Sequence, residues 1–132
     1  MNASSVDVKD MLEDHTELGL TFTVDLFVST MPSEPDECVA VYDSGGLSPH
    51  PLFTLERPTV QVRVRGPRGD YCTGWSLAVA IRDFLHGKCG EVINASRYIS
   101  IFATGDIVPL GRDKSDRPEF TVNFQVHRTT SA

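Results

Sequence analysis

Thr59-Val60-Gln61-Val62-Arg63-Val64-Arg65-Gly66-Pro67-Arg68-Gly69-Asp70 leads directly into the stretch from Tyr71 to His86, and together they decide the fold. Val60, Val62 and Val64 alternate with Thr59, Gln61, Arg63 and Arg65. Side chains of a strand point to opposite faces in turn, so this pattern predicts a strand with one apolar and one polar face. Gly66 to Gly69 form a turn. Asp70 can cap the helix that follows, because its carboxylate accepts from the free N–H groups of the first turn. Trp75, Ala78, Ile81, Phe84 and Leu85 make a broad apolar face on that helix, and Gly87 stops it. Gly74 inside the helix costs about 1 kcal/mol relative to alanine, so close packing is expected there. A one-sided strand followed by a one-sided helix calls for a sheet covered by helices on its apolar face.

The same reading extends in both directions. Upstream, Val8, Met11 and Leu12 mark a short helix from about Val6 to His15, capped by Ser4 or Ser5. Its first turn carries Asp7 and Asp10, which suit the positive end of the helix dipole; Glu13 and Asp14 oppose the other end. Phe22 to Val28 alternates as a strand, and Cys38 to Tyr42 is a shorter one, broken by Asp43-Ser44-Gly45-Gly46. Downstream, Tyr98 to Ala103 and Glu119 to Val126 alternate, with a possible short partner near Glu91 to Ile93. The expected architecture is a single α+β domain over residues 1–132, of order α-β-β-β-α-β-β. Its antiparallel or mixed sheet has about four to five strands, with two helices packed on one face. Two long connections, 43–57 and 105–118, are left over. Leu47, Leu52, Phe53 and Leu55 make the first too apolar for a freely solvated loop, so it should dock on its own subunit or on another.

With 40% hydrophobic and 23% charged residues in a chain of 132, global disorder is not expected. No apolar run approaches the roughly 20 residues of a membrane span, and the first residues do not read as a secretory signal. Cys38, Cys72 and Cys89 lack paired spacing and read as reduced thiols. His15, His50, His86 and His127 are scattered, so no metal site is expected. Cys72 at a helix start could be an activated thiol, but no local base accompanies it. Arg68-Gly69-Asp70 is explained by the helix cap. The sequons at Asn2 and Asn94 carry no weight without a signal peptide. No cofactor is implied.

The net charge of −6 is unevenly spread. Residues 1–50 hold ten acids and one base, Lys9, whereas residues 51–132 hold eight acids and eleven bases. Nine of the twelve bases are arginines, whose planar forks suit interfaces. Folding can cancel this polarity by mixing the halves. Otherwise an acidic surface with Asp10, Glu13 and Asp14 is available to meet arginines such as Arg57, Arg63, Arg65 and Arg112 of another copy. The acidic total and the lack of a recognition-helix pattern disfavour sequence-specific DNA binding.

Several segments, in order, carry a resemblance. They are Cys38 to Gly46 with its Tyr-x-x-Gly-Gly turn, Arg57 to Gly66, Ala80 to Gly87, Arg97-Tyr98, Leu110 to Asp113 and Arg117 to Phe124. Over about residues 5–128 the chain resembles the minor capsid proteins of tailed bacteriophages that act as tail terminators, or tail completion proteins. Pro49-His50-Pro51 is a departure from the family's pattern. The resemblance implies a virion protein assembled in the host cytoplasm into a homo-oligomeric ring, typically a hexamer, at the head-proximal end of the tail. Such a ring stops polymerisation of the tail tube protein and meets the neck or connector, and genomic DNA passes through its lumen. The family has no catalytic residues to carry over. The alternatives are a head-closure or other neck adaptor and, from another class, a small cytosolic thiol-dependent enzyme using Cys72.

Overall fold

The computed structural model describes residues 1–129. Its elements run α1 (Ser4–Asp14), β1 (Leu26–Val28), β2 (Cys38–Leu47), β3 (Leu55–Arg65), α2 (Tyr71–Leu85), β4 (Lys88–Ile93), β5 (Ser96–Ala103), β6 (Val108–Arg112) and β7 (Pro118–Thr129). The mixed α+β expectation stands, but the sheet has seven strands rather than four to five. The order across it is β1-β2-β3-β7-β5-β4, and β6 pairs with β7 off this path. Among the described strands only β1 and β2 pair in parallel; the other pairs are antiparallel.

Three corrections have local causes. Phe22 to Val28 alternates, yet only Leu26–Val28 is a strand, because Thr23 has φ +69° and the Asp25 carboxylate closes a turn onto the Thr21 N–H. The glycines after Tyr42 bend β2 without ending it. A bulge falls between Asp43 and Gly46, and Gly46 (φ +120°) lies so close to β3 that an added Cβ would sit 2.5 Å from the Arg57 carbonyl oxygen. The first long loop therefore contains strand at both ends and the second contains it inside. The first shrinks to residues 48–54 between β2 and β3, and the second holds β6.

Register places Val39, Val64 and Phe120 side by side, and likewise Val41, Val62 and Val122. This apolar face buries against Val8, Met11 and Leu12 of α1 and Ala78, Ile81 and Leu85 of α2 in one core cluster. Gly74 is where α2 meets the sheet most closely: an added Cβ would lie 2.8 Å from the Phe120 ring and 3.1 Å from Gly66. Asp70 caps α2 as expected, accepting from the Thr73 N–H at 3.1 Å. At α1 the N-cap is Ala3, which makes no side-chain cap. The anion at that helix start comes instead from β2, where Asp43 accepts from the Ser5 N–H (3.0 Å) and hydroxyl (2.6 Å).

Candidate interaction surfaces

Arg63 and Arg65 share the polar face of β3 but not a common environment. Arg65 is 4% exposed, because residues 32–36 fold over that end of the sheet. Its guanidinium donates to the carbonyls of Asp36 (2.9 Å), Pro32 (2.7 Å) and Pro35 (2.7 Å). Arg117 assists the same loop by donating to the Ser33 carbonyl and pairing with Asp113 at 2.8 Å and Asp36 at 3.3 Å. The expectation that Arg65 lies on an open polar face is thus corrected. Arg63 is half-buried over the Tyr42 ring, with its centre 5.5 Å from the ring centroid, and reaches Gln61 at 3.5 Å. Its buried Nε has no acceptor among the described residues.

The polar face is uncovered beyond the reach of residues 32–36. Gln61 there bonds Asn123 at 3.2 Å, and Ser100 bonds His127 at 3.1 Å. Towards β4 the face becomes apolar and exposed, through Phe102, Ile99 and Val92, next to exposed Arg97.

The β2–β3 connection projects a second apolar surface. Leu52 is 82% and Phe53 69% exposed, and Leu47 is also exposed. Leu55, by contrast, is half-buried within β3. Arg57 holds the root of this tip by donating to the Ser48 carbonyl at 2.6 Å, and His50 packs against Phe53. Leu52 and Phe53 thus have the apolar character that the sequence showed, and their own core does not absorb it.

The acids of α1 also divide. Glu13 accepts from the Phe22 N–H at 2.7 Å. Asp10 is partly buried; burial works against its charged form, but bonds from Lys9 and Asn94 hold its carboxyl below the usual range. Asp14 is exposed. Arg112 pairs with Asp116 at 2.7 Å on exposed β6. Some of the charge polarity cancels within the subunit, since Asp36 pairs with Arg68 and Arg117, and Asp7 with Arg128.

That last pair belongs to a buried network which the sequence reading missed. Asp7 accepts from the Tyr98 hydroxyl. Arg128 donates to Asp7 (3.4 Å), Tyr98 (3.1 Å), Glu56 (3.0 Å) and the Asn2 carbonyl (2.8 Å). Burial, then the bond to Asp7, pushes the Tyr98 phenol well above its ordinary range. The network locks α1 onto β3, β5 and β7. The only hint in the sequence was an acid on the apolar side of a helix.

For chemistry the surface offers little. A groove of about 460 Å³ is lined by Tyr71, Cys72, Trp75 and Ser76. Cys72 is exposed and makes no hydrogen bond among the described residues. Burial pushes the Cys38 thiol up, away from the reactive thiolate. Among the described residues no cluster of His, Cys, Asp and Glu could hold a metal ion, and no helix is long and apolar enough to cross a membrane.

The fold is similar to that of a chain from the virion of a native gene transfer agent particle, with a TM-score of 0.76 at 14% identity, over 96% of this chain and 95% of that one. No curated protein matches. The family model described as bacteriophage tail terminator protein matches residues 9–130, so the chain belongs to that family and is a structural protein of the virion tail.

Proposed function

We propose that the protein is the terminator of a long tail. It forms a homo-oligomeric ring, a hexamer, on the head-proximal end of the tail tube. The ring stops addition of tube protein and offers its other side to the neck or connector, while genomic DNA passes through the lumen without sequence-specific contact. Assembly takes place in the host cytoplasm and needs no cofactor or enzymatic step. The observation that carries this reading is the apolar tip formed by Leu47, Leu52 and Phe53, which projects from the fold uncovered. Exposed apolar surface of this kind marks an interaction site, and family membership supplies a setting in which it is covered. Unlike surfaces meeting head to tail close into a ring when the rotation permits. Of the charged groups expected at the interface, Asp14 and Arg63 make no ion pair among the described residues and are the ones free to set the register, while Asp10, Glu13, Arg57 and Arg112 already bond within the subunit.

The test replaces residues 48–54 by a short glycine-containing turn. Folded protein that no longer assembles, by sedimentation velocity, supports the tip as an assembly element, whereas unchanged rings argue against it. Imaging where the ring sits on purified tails separates a terminator from a head-closure adaptor.

A further inference from the structure

We infer that the helix-free face of the sheet is the seat of a second copy of this chain, entered by that copy's α1–β1 surface. This rests on the ring reading above and names a contact within that ring besides the 48–54 tip.

Three observations converge on this face. The first is its size. Beyond the part covered by residues 32–36, it runs across β2, β3, β7, β5 and β4. At about 4.8 Å per strand and about 25 Å of length, five strands give a footprint of about 600 Å², close to the 800 Å² per partner of a standard interface. The second is its charge. The chain carries 18 acids, yet the residues that register places on this face between Arg63 and Arg97 include none of them. Arg63 has a buried Nε without an acceptor, and exposed Arg97 has no ion pair, both among the described residues. The third is its apolar β4–β5 edge, where Val92, Ile99 and Phe102 are all exposed.

The same molecule carries the complementary surface elsewhere. Phe22 and Val24 are exposed just after α1. The Lys9 ammonium lies 4.3 Å over the Phe22 ring and is paired with Asp10, while Glu13, which holds the Phe22 N–H, and exposed Asp14 and Glu17 leave the patch with an excess of acids. An apolar edge flanked by Arg97, with Arg63 further in on β3, thus meets a small apolar patch flanked by carboxylates. The two patches are different parts of the chain, so the contact is heterologous, as a ring requires. DNA is the poorer occupant, because a polyanion has no use for exposed Val92, Ile99 and Phe102.

The test is sedimentation velocity on the full chain, alone and with tail tube protein, at about 0.05 and 0.5 M salt. It compares the wild type with Arg63→Glu/Arg97→Glu, Asp14→Lys/Glu17→Lys, the combination of all these changes, and Arg97→Glu alone. Circular dichroism checks the fold of each. Arg97→Glu, at an exposed position, keeps the test informative if the change at half-buried Arg63 disturbs folding. Each double reversal is expected to weaken assembly about tenfold or more, with the combination recovering it. Reversals that assemble like the wild type overturn this inference and leave the ring reading standing, and so does loss without recovery in the combination. A wild type that never assembles overturns the ring reading and this inference with it. Reversals that assemble normally but lose binding to double-stranded DNA would make the face a DNA-facing surface and overturn the inference too.

Discussion

Arg63 and Arg65 stand two positions apart on one face of β3, and their surroundings give them opposite duties. Arg65 is saturated by the carbonyls of Pro32, Pro35 and Asp36. Arg65→Ala strands those acceptors and is expected to cost about 2–3 kcal/mol in urea unfolding. Arg63→Ala removes no ion pair and should cost less than about 1 kcal/mol. Equal losses would contradict this division of roles. Alternation in the sequence gave both arginines the same face, correctly. It could not show that residues 32–36 fold back over one of them, because that contact spans some 30 positions. The Asp7–Tyr98–Arg128 network was illegible for the same reason, since Asp7 and Tyr98 lie 91 positions apart. Asp7→Ala takes the acceptor from the buried Tyr98 hydroxyl and one of two carboxylates from Arg128, which keeps Glu56, and is expected to lose about 2–3 kcal/mol. The raised Tyr98 phenol has a pH consequence. The unfolded chain releases this proton near pH 10, at the ordinary tyrosine value, while the folded chain keeps it. Unfolding therefore releases a proton above that pH, and stability present below pH 10 is lost as pH rises further. Wild type should lose more stability than Tyr98→Phe between about pH 9 and pH 11, and parallel curves for the two would refute the assignment.

At the scale of elements, the strand–turn–helix unit β3–α2 was readable because each signal is local: alternation, a turn, a capping aspartate and a stop glycine. Gly74 was legible as a place of close approach, and it yields a prediction with an unusual sign. Glycine to alanine in a helix normally stabilises by about 1 kcal/mol. Here the new methyl would meet the Phe120 ring at 2.8 Å and Gly66 behind it. Gly74→Ala is therefore expected to destabilise by about 1–3 kcal/mol, and a rise in melting temperature would contradict the packing described. What the sequence hid at this scale was strand extent. Phe22 to Val28 alternates well, but the positive φ of Thr23 and the Asp25 turn reduce it to Leu26–Val28. Gly45 and Gly46 read as a break, whereas pairing to Leu47 across a bulge carries β2 onward. β6 was lost inside a loop because Pro109 and Gly111 are poor strand formers; pairing with β7 holds it in place. The 48–54 tip follows from the lengthened hairpin. Leu52→Ser with Phe53→Ser should leave thermal stability nearly unchanged, because both side chains are exposed, while assembly measured by light scattering drops. A large fall in melting temperature would show that the tip docks on its own subunit.

For the whole molecule, the two faces of the sheet have separate employments. One is closed by α1 and α2 over a continuous apolar core. The other is partly roofed by residues 32–36 and otherwise open, with Arg63 and Arg97 on it and, among the described residues, no helix above it. Membership of the tail terminator family places the chain in an assembled virion tail, and the open surfaces are the ones proposed to be covered there. It was the ordered series of short motifs, rather than any catalytic or metal-binding signature, that made the family legible. The partition of surfaces depends on tertiary structure and was not. The most direct measurement is electron microscopy of tail tube protein polymerised with and without this protein. A terminator gives a ring of this chain closing one end of each tube, and tubes that stop growing once it is bound. Tubes that continue to lengthen in its presence, or protein that binds along their sides without a terminal ring, would contradict that role.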